Sequence, residues 1–236
     1  MSSACGDVIL DTVLSRLDSS ETVGKNSMTL DVGIKGGELL KLEDRKSRNA
    51  PSIDQYPSSR ARWFPNVAYT YGPTDWLDFR VGAAFDIASD LMRTVAPSVR
   101  GKIQWLGIPQ AASGTEAFSL ATTLGISAYD NNPLSSVAYD AALIAGYRTN
   151  PRYMFFGGPF FNRSDYDYTW HHTSNEKLQT QGQYRGHVET WGGNIAMQVT
   201  LPIELTAQIE LVAARIDAEK THKYVAQLGA QFSRRW

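Results

Sequence analysis

Residues 71–86 read YGPTDWLDFRVGAAFD, a tight turn followed by a run of alternating residues. From Leu77 onwards every second residue is apolar, and the residues between them are small or charged. Such alternation is typical of a β-strand, because successive side chains of a strand point to opposite faces of the sheet. The stretch therefore predicts a strand whose two faces lie in very different surroundings.

The same period of two recurs along most of the chain and predicts ten strands. We expect them near residues 27–35, 63–71, 77–86, 99–105, 117–128, 137–147, 152–163, 184–199, 203–213 and 223–236. A change of phase at residues 191–194, WGGN, predicts a β-bulge. The polar segments 36–61 and 164–183 are expected to be long loops that alternate with short turns.

The composition limits the possible classes of function. The 236 residues include 23 basic and 24 acidic side chains, a net charge of −1, so we expect no nucleic-acid partner. The single cysteine, Cys5, excludes an internal disulfide and a thiolate metal site. No apolar run reaches the roughly 18 residues of a membrane-spanning helix. A transmembrane β-barrel would also lack such a run, because its strands alternate.

The two faces of the predicted strands argue for a closed barrel. A soluble β-sandwich, the alternative fold, has a large apolar inner face and a polar outer face. Here the face opposite the apolar row mixes Ala, Ser and Gly with charges of both signs, which suits the inside of a closed cylinder where charges can pair. The residues expected to face this lumen are Asp31, Asp78, Arg80, Lys102, Asp140, Glu204 and Glu210.

The apolar row would then face lipid, and aromatic residues near strand ends would form a girdle at the membrane interface. Closure also removes sheet edges, whose backbone groups lipid cannot satisfy by hydrogen bonding. The aromatic residues in suitable positions are Trp63, Tyr71, Trp105, Tyr147, Tyr224 and Trp236.

With these features the chain resembles bacterial outer-membrane β-barrel proteins. Residues 71–82 are similar to their periplasmic turns, and the end LGAQFSRRW, with Phe232 and Trp236, is similar to their assembly signal. The resemblance covers about 26–236 and implies an antiparallel up-and-down barrel in the outer membrane of a Gram-negative bacterium. It also implies contact with outer-membrane lipid and with the barrel-assembly machinery. The turns and the N-terminus would face the periplasm, and the long loops would face outwards.

The first 25 residues are expected to form a separate periplasmic segment, followed by the barrel at 26–236. Small residues before Cys5 resemble a lipoprotein processing site, so Cys5 is a candidate for lipidation; the alternative is a free thiol behind a trimmed export signal. Apolar residues recur at helical spacing within 7–18, which predicts a short amphipathic helix. They are Ile9, Leu10, Val13, Leu14 and Leu17.

For the function, a structural, scaffold or surface-interaction role is the preferred hypothesis. Ten strands enclose a lumen that side chains can fill, so we expect it to be closed or narrow. A narrow pore or small-solute channel is an alternative. We expect no cofactor and no metal site.

The segment 164–183 holds the candidates for binding and for catalysis. Its aromatic and histidine side chains predict contact with a protein or glycan: Tyr166, Tyr168, Trp170, His171 and His172. The stretch 172–175, HTSN, resembles the His-x-Ser-Asn element of outer-membrane lipid A deacylases. That resemblance implies Ser174 as nucleophile, His172 as general base and Glu189 as the residue that orients the imidazole. The Asp-x-His pair of omptin proteases is absent, and an enzyme is the less favoured interpretation.

Overall fold

The computed structural model describes residues 8–13, 16–43, 52–53, 61–85, 95–109, 116–131, 134–174, 178–218 and 221–236. Within these ranges twelve strands form one antiparallel sheet, and a short 3-10 turn lies at Pro202–Glu204. The strands are β1 (Val8–Val13), β2 (Ser27–Glu43), β3 (Ser52–Ile53), β4 (Ala61–Gly72), β5 (Leu77–Phe85), β6 (Val95–Leu106), β7 (Ala117–Asn131), β8 (Leu134–Arg148), β9 (Tyr153–Ser174), β10 (Leu178–Leu201), β11 (Leu205–Ala218) and β12 (Thr221–Arg235).

The sheet closes on itself. Strand β2 pairs with β4 on one side and with β12 on the other, and the strands from β4 to β12 pair in chain order. Because β1 and β3 pair only with β2, the wall of the barrel has ten strands. At the junction Met28 and Trp236 exchange backbone hydrogen bonds of 3.1 Å. The predicted closed barrel is confirmed, and the alternative of a two-sheet sandwich is wrong.

The two ends of the barrel carry different connections. The turn end carries the turns 73–76, 149–152 and 202–204 together with Trp236; the loop end is the opposite one. At the loop end the predicted loop 164–183 is wrong, because β9 and β10 form one long hairpin on either side of residues 175–177, which lie outside the described residues. The predicted loop 36–61 is wrong at 36–43 and 52–53, which belong to β2 and β3, and residues 44–51 and 54–60 lie outside the described residues. The polar composition there marks exposed strands, whose backbone pairing continues without a break to Ser174↔Leu178.

The predicted bulge at 191–194 is also wrong. Strand β10 keeps its register with both neighbours through these residues, and Trp191 and Ile195 point outwards while Asn194 points inwards. Gly192 serves packing instead, because a Cβ atom there would lie 2.5 Å from Cζ of Phe160. A register shift does occur in β6, between Gln104 and Leu106.

The predicted N-terminal helix is not found. Residues 8–13 are strand β1, which pairs with β2 from Val13↔Gly37 to Val8↔Leu42 and so lies at the loop end instead of beside the turns. Residues 16–24, the lumen segment, run inside the barrel towards the turn end without helical structure. Leu17 has a φ of 52° and donates its N–H to Glu210, so helical hydrogen bonding is replaced by contacts with the wall.

Two further predictions concern the start of the chain. The division of the chain at residue 25 stays a prediction, and so does lipidation of Cys5, which lies outside the described residues. Among the described residues no helix is long and apolar enough to cross a membrane.

Side chains of the wall alternate between outside and inside as predicted. Phe79 and Val81 are each 51% exposed on the outside, whereas Asp78 between them and the turn is 1% exposed. The interior is mixed, since an apolar cluster covers the inner wall of β8–β11. Its larger members are Ile144, Met154, Phe156, Phe160, Tyr166, Val188, Val212 and Ile216.

Candidate functional site

The lumen segment is the feature that most distinguishes the inside of this barrel. Leu17, Glu21 and Val23 are 1%, 1% and 5% exposed, although no strand of the wall pairs with this segment in the described chain. Gly24 and Asn26 have φ angles of 94° and 59°, left-handed values that glycine and asparagine adopt most readily. They let the chain reverse at the turn end and enter β2, which places residues 16–24 in the lumen.

Alternating charges cross the middle of the lumen and hold the start of this segment. Arg16 Nη2 lies 2.6 Å from Asp140 Oδ2, and Arg100 Nη2 lies 3.3 Å from Asp140 Oδ1. Asp18 is 2.5 Å from Arg100 Nη1 and 3.1 Å from Arg80 Nη1. Arg80 also reaches Asp31 of β2 at 3.1 Å. These six residues, which we call the central network, connect the lumen segment with β2, β5, β6 and β8: Arg16, Asp18, Asp31, Arg80, Arg100 and Asp140.

A second group of contacts holds the rest of the segment nearer the turn end. Arg148 donates two hydrogen bonds to the Glu21 carboxylate, of 3.0 and 2.5 Å, and both side chains are almost fully buried. Lys102 Nζ donates to the Glu21 carbonyl oxygen at 2.6 Å and pairs with Asp78 at 2.9 Å. The Thr22 N–H donates to Gln104 Oε1 at 2.6 Å. The segment is therefore fixed by the wall through most of its length.

Backbone donors of the segment are satisfied by carboxylates of the wall. The N–H groups of Arg16 and Leu17 donate to Glu210 Oε2 at 2.9 and 3.0 Å, and Asn194 donates to Glu210 Oε1 at 2.5 Å. The Val23 N–H lies 3.2 Å from both carboxylate oxygens of Asp78. Such acceptors matter because a buried N–H without a partner costs free energy.

Asp18 is a buried carboxylate with two guanidinium partners, Arg100 and Arg80, at 2.5 and 3.1 Å. A charge removed from water needs partners of this kind, since an unpaired one costs several kcal/mol, about 3–5 when a buried pair is broken.

The lumen segment separates two cavities. The turn-end cavity has a volume of about 230 Å³ and is lined by Leu17, Asp18 and Val23 together with polar residues of the wall. The loop-end cavity has a volume of about 90 Å³ and is lined by Arg16 of the segment. Arg100 borders both cavities. In the described part of the chain, the central network therefore lies between the turn-end cavity and the loop-end cavity.

The predicted lumen charges are largely in the predicted place. Asp31, Asp78, Arg80, Lys102, Asp140 and Glu210 all point into the lumen. Glu204 lies at the mouth of the turn-end cavity, in the turn after Pro202 with a φ of 56°; its side chain is 58% exposed and pairs with Arg235 at 3.7 Å.

Sequence reasoning missed five charged members of the site. Arg100 and Arg148 carry a usable signal, because they continue the inward-facing rows of their strands. The three on the lumen segment carry none, since no strand pattern indicates that this segment enters the barrel: Arg16, Asp18 and Glu21.

The predicted binding surface is only partly described. Tyr166 is 4% exposed and packs in the interior cluster, so it cannot contact an external molecule, because its position in β9 directs it inwards. The backbone of residues 168–174 lies in β9 and not in a loop. The side chains of Tyr168, Trp170, His171 and His172 lie outside the described part of the chain, so their binding role stays a prediction.

The predicted catalytic residues are not brought together. Glu189 pairs across the hairpin with Arg163, nine residues before His172 on β9. At about 3.3 Å per residue, the backbone positions of Glu189 and His172 are about 30 Å apart. Glu189 instead lies 3.5 Å from Arg163 Nη1 on the outer surface. The side chain of Ser174 lies outside the described residues. Among the residues described, no group of three or more His, Cys, Asp or Glu side chains could hold a metal ion.

The outer surface has an apolar band between two aromatic girdles. Trp191 and Leu201 lie ten residues apart on β10, which corresponds to a height of about 25 Å at about 3.3 Å per residue and a tilt of about 40°. The turn-end girdle is Trp76, Trp105, Tyr147, Tyr153 and Trp236; the loop-end girdle is Trp63, Tyr139, Trp191 and Tyr224. Of the predicted girdle, Tyr71 is half-buried. Phe232 is exposed within the band, and its role in assembly stays a prediction.

From the level of the loop-end girdle outwards the outer face becomes charged, since Arg215 pairs in register with Trp191 and Tyr224. Four ion pairs, which we call the rim pairs, lie there: Arg163–Asp165, Arg163–Glu189, Arg185–Asp167 and Arg215–Asp217. The apolar band thus ends where these charges begin.

Comparison with known proteins finds remote similarity to solved structures. No family model matches the chain, and no curated protein matches it. The N-terminal β-barrel domain of Pseudomonas aeruginosa OprF is 10% identical, with 90% of this chain and 99% of that chain covered and a TM-score of 0.29. The outer membrane channel DcaP of Acinetobacter baumannii is 9% identical, with 100% and 99% covered and a TM-score of 0.24. At such TM-scores the fold assignment rests on the strand pairing within this chain.

Proposed function

We propose that the protein is an outer-membrane β-barrel with a structural, scaffold or surface-interaction role, and that its own N-terminal segment closes the lumen. The observation that supports this proposal is the position of residues 16–24, which lie inside the barrel and are joined to the wall by ion pairs. A barrel filled in this way leaves its two ends and its outer surface for contact with other molecules.

Placement in a membrane is supported by the outer surface. An apolar band of about 25 Å between aromatic girdles is what transmembrane barrels present to lipid. In water the same surface would expose large side chains such as Ile195 and Leu124, at 67% and 63%. Purified protein should therefore need detergent, and its mobility on a cold SDS gel should change on heating. Protein that stays monomeric and dissolved without detergent would contradict this part of the proposal.

A closed lumen is supported by the cost of opening it. Moving the lumen segment away would break the ion pairs of Asp18 with Arg80 and Arg100 and of Glu21 with Arg148. Arg80 and Arg100 would keep Asp31 and Asp140, whereas Arg148 would lose its carboxylate partner. These contacts therefore favour the docked position of the segment over an open lumen.

Planar-bilayer recording tests the closed lumen. We expect the wild type to show no discrete conductance, because the lumen segment and the central network obstruct the path. A triple variant that weakens the segment should conduct: Arg16→Ala, Asp18→Ala and Glu21→Ala. A matched control removes the same charges from the rim and should stay silent: Arg163→Ala, Asp165→Ala and Asp167→Ala. Discrete conductance of the wild type would contradict closure and favour the alternative, a narrow pore. Heat-modifiable mobility of each variant shows that it is folded.

A further inference from the structure

The loop-end cavity has room for a small ion and a largely polar lining. Its volume is about 90 Å³, well above the roughly 10–15 Å³ that a cavity needs to hold one water molecule. An adjoining space of about 30 Å³ shares Lys35, Ser98 and Arg100 with it. An ion of a few heavy atoms fits in this space.

Positive charge predominates around this cavity. Arg16, Lys35 and Arg100 line it, and Asp140 is its one carboxylate among the described lining residues. Both oxygens of Asp140 are already engaged, one by Arg16 at 2.6 Å and the other by Arg100 at 3.3 Å. No carboxylate is therefore left in the described lining for the third cation.

Lys35 is that third cation. Within the described chain it forms no ion pair. The carboxylates that attract it electrostatically are Asp18 and Glu210. Asp18 is held by Arg80 and Arg100, and Glu210 accepts the N–H groups of Arg16 and Leu17. Lys35 is half-buried and lines the cavity, so its ammonium group is only partly open to water and favours a nearby counter-charge.

Donors without partners lie on the same lining. Arg16 is 4% exposed and its Nε has no acceptor among the described residues, and the same holds for Arg100 Nε. Asn66, which is 3% exposed and borders the adjoining space, has both its amide nitrogen and its amide oxygen without a partner in the described chain. Buried donors normally have acceptors, so an acceptor atom is missing at this point.

We propose that the loop-end cavity binds a small oxyanion of the phosphate or sulfate type. Its oxygens would accept the N–H groups of Arg16 and Arg100, and its charge would pair with Lys35. Guanidinium groups suit this role because they bind oxyanions with directed hydrogen bonds. Ser98, Ser127 and Asn162 add further polar groups to the lining. This site goes beyond the proposed closure of the lumen and rests on it only in that Arg16 must lie inside the barrel. Because Arg16 belongs to the lumen segment, a bound ion would also hold that segment against the wall.

Calorimetric titration of the full chain in detergent with inorganic phosphate, and separately with sulfate, tests the site. We expect saturable binding by the wild type and a loss of about 10-fold in affinity for Lys35→Met. The matched control is Lys25→Met, which removes the same charge from an exposed turn-end position and should bind like the wild type. Absence of binding by the wild type at millimolar phosphate and sulfate, or an equal loss in both variants, would overturn the proposal.

A second measurement locates the ion. If Lys35→Met does not fold, Lys35→Arg replaces it. Lys35→Arg keeps the positive charge and should still bind phosphate and sulfate, which separates a loss of the site from a loss of stability. Crystals of the wild type soaked in selenate should show an anomalous peak between Lys35 and Arg100. A peak only at other positions would contradict the assignment of this cavity.

Discussion

Two ion pairs of the same chemistry lie in opposite surroundings in this barrel. Arg148 and Glu21 meet in the lumen at 2.5 Å, with side chains 2% and 1% exposed. Arg163 and Asp165 meet on the outer rim at 3.0 Å, with side chains 44% and 49% exposed. Distance hardly distinguishes them, but burial does: the side chains of the lumen pair are enclosed by the barrel, whereas those of the rim pair are open to solvent. Burial therefore decides which charges fix the structure.

The largest effect is expected from breaking the lumen pair. Glu21→Ala leaves the Arg148 guanidinium buried without a counter-charge, and we expect a loss of about 3–5 kcal/mol in the free energy of unfolding. Urea unfolding in lipid vesicles measures this loss. The double variant Glu21→Leu with Arg148→Met should recover much of it, because an apolar pair of similar volume avoids the cost of burying charge. A loss below about 1 kcal/mol for the single variant would mean that water reaches Arg148.

The effect of surroundings on a charge can also be measured on the outer surface, by placing an arginine at two positions along the barrel axis. One position lies in the apolar band and the other lies at the level of the rim pairs. Val81 is 51% exposed in the apolar band, whereas Val137 pairs in register with Asp165 at the level of the rim pairs. Val81→Arg should cost about 2–4 kcal/mol in the free energy of unfolding from lipid, and Val137→Arg about 0–1 kcal/mol. The same vesicle-based unfolding measures both. Equal costs at the two positions would show that the outer band does not face hydrocarbon.

The wall of the barrel could be predicted from the sequence because its signal is local. Alternation along each strand predicted all ten strands and the outward position of residues such as Phe79. Strand ends were predicted less well, because polar residues after 164 are compatible with either a loop or an exposed hairpin. Tyr166 continues the inward row of Phe160 along β9, so a longer predicted strand would have placed it inside.

The lumen segment could not be predicted in the same way, because its partners are remote in the sequence. Glu21 meets Arg148 at a separation of 127 residues, and the Leu17 N–H meets Glu210 at a separation of 193. Helical spacing of apolar residues within 7–18 favoured a local structure, and the barrel supplied better partners. Such a choice depends on the shape of the finished lumen, which a pattern within one segment does not contain.

The smallest effect is expected at the rim. Asp165→Ala removes a partner of Arg163, but water and Glu189, which lies 3.5 Å from Arg163 Nη1, remain available to the guanidinium. We expect a change of about 0–1 kcal/mol in the free energy of unfolding, which added salt reduces further because it screens exposed charges. Urea unfolding of Asp165→Ala beside Glu21→Ala, at low and high salt, makes the comparison directly. A salt-resistant cost at Asp165 as large as that at Glu21 would mean that the rim is covered in the folded protein, and burial would then no longer separate the two pairs.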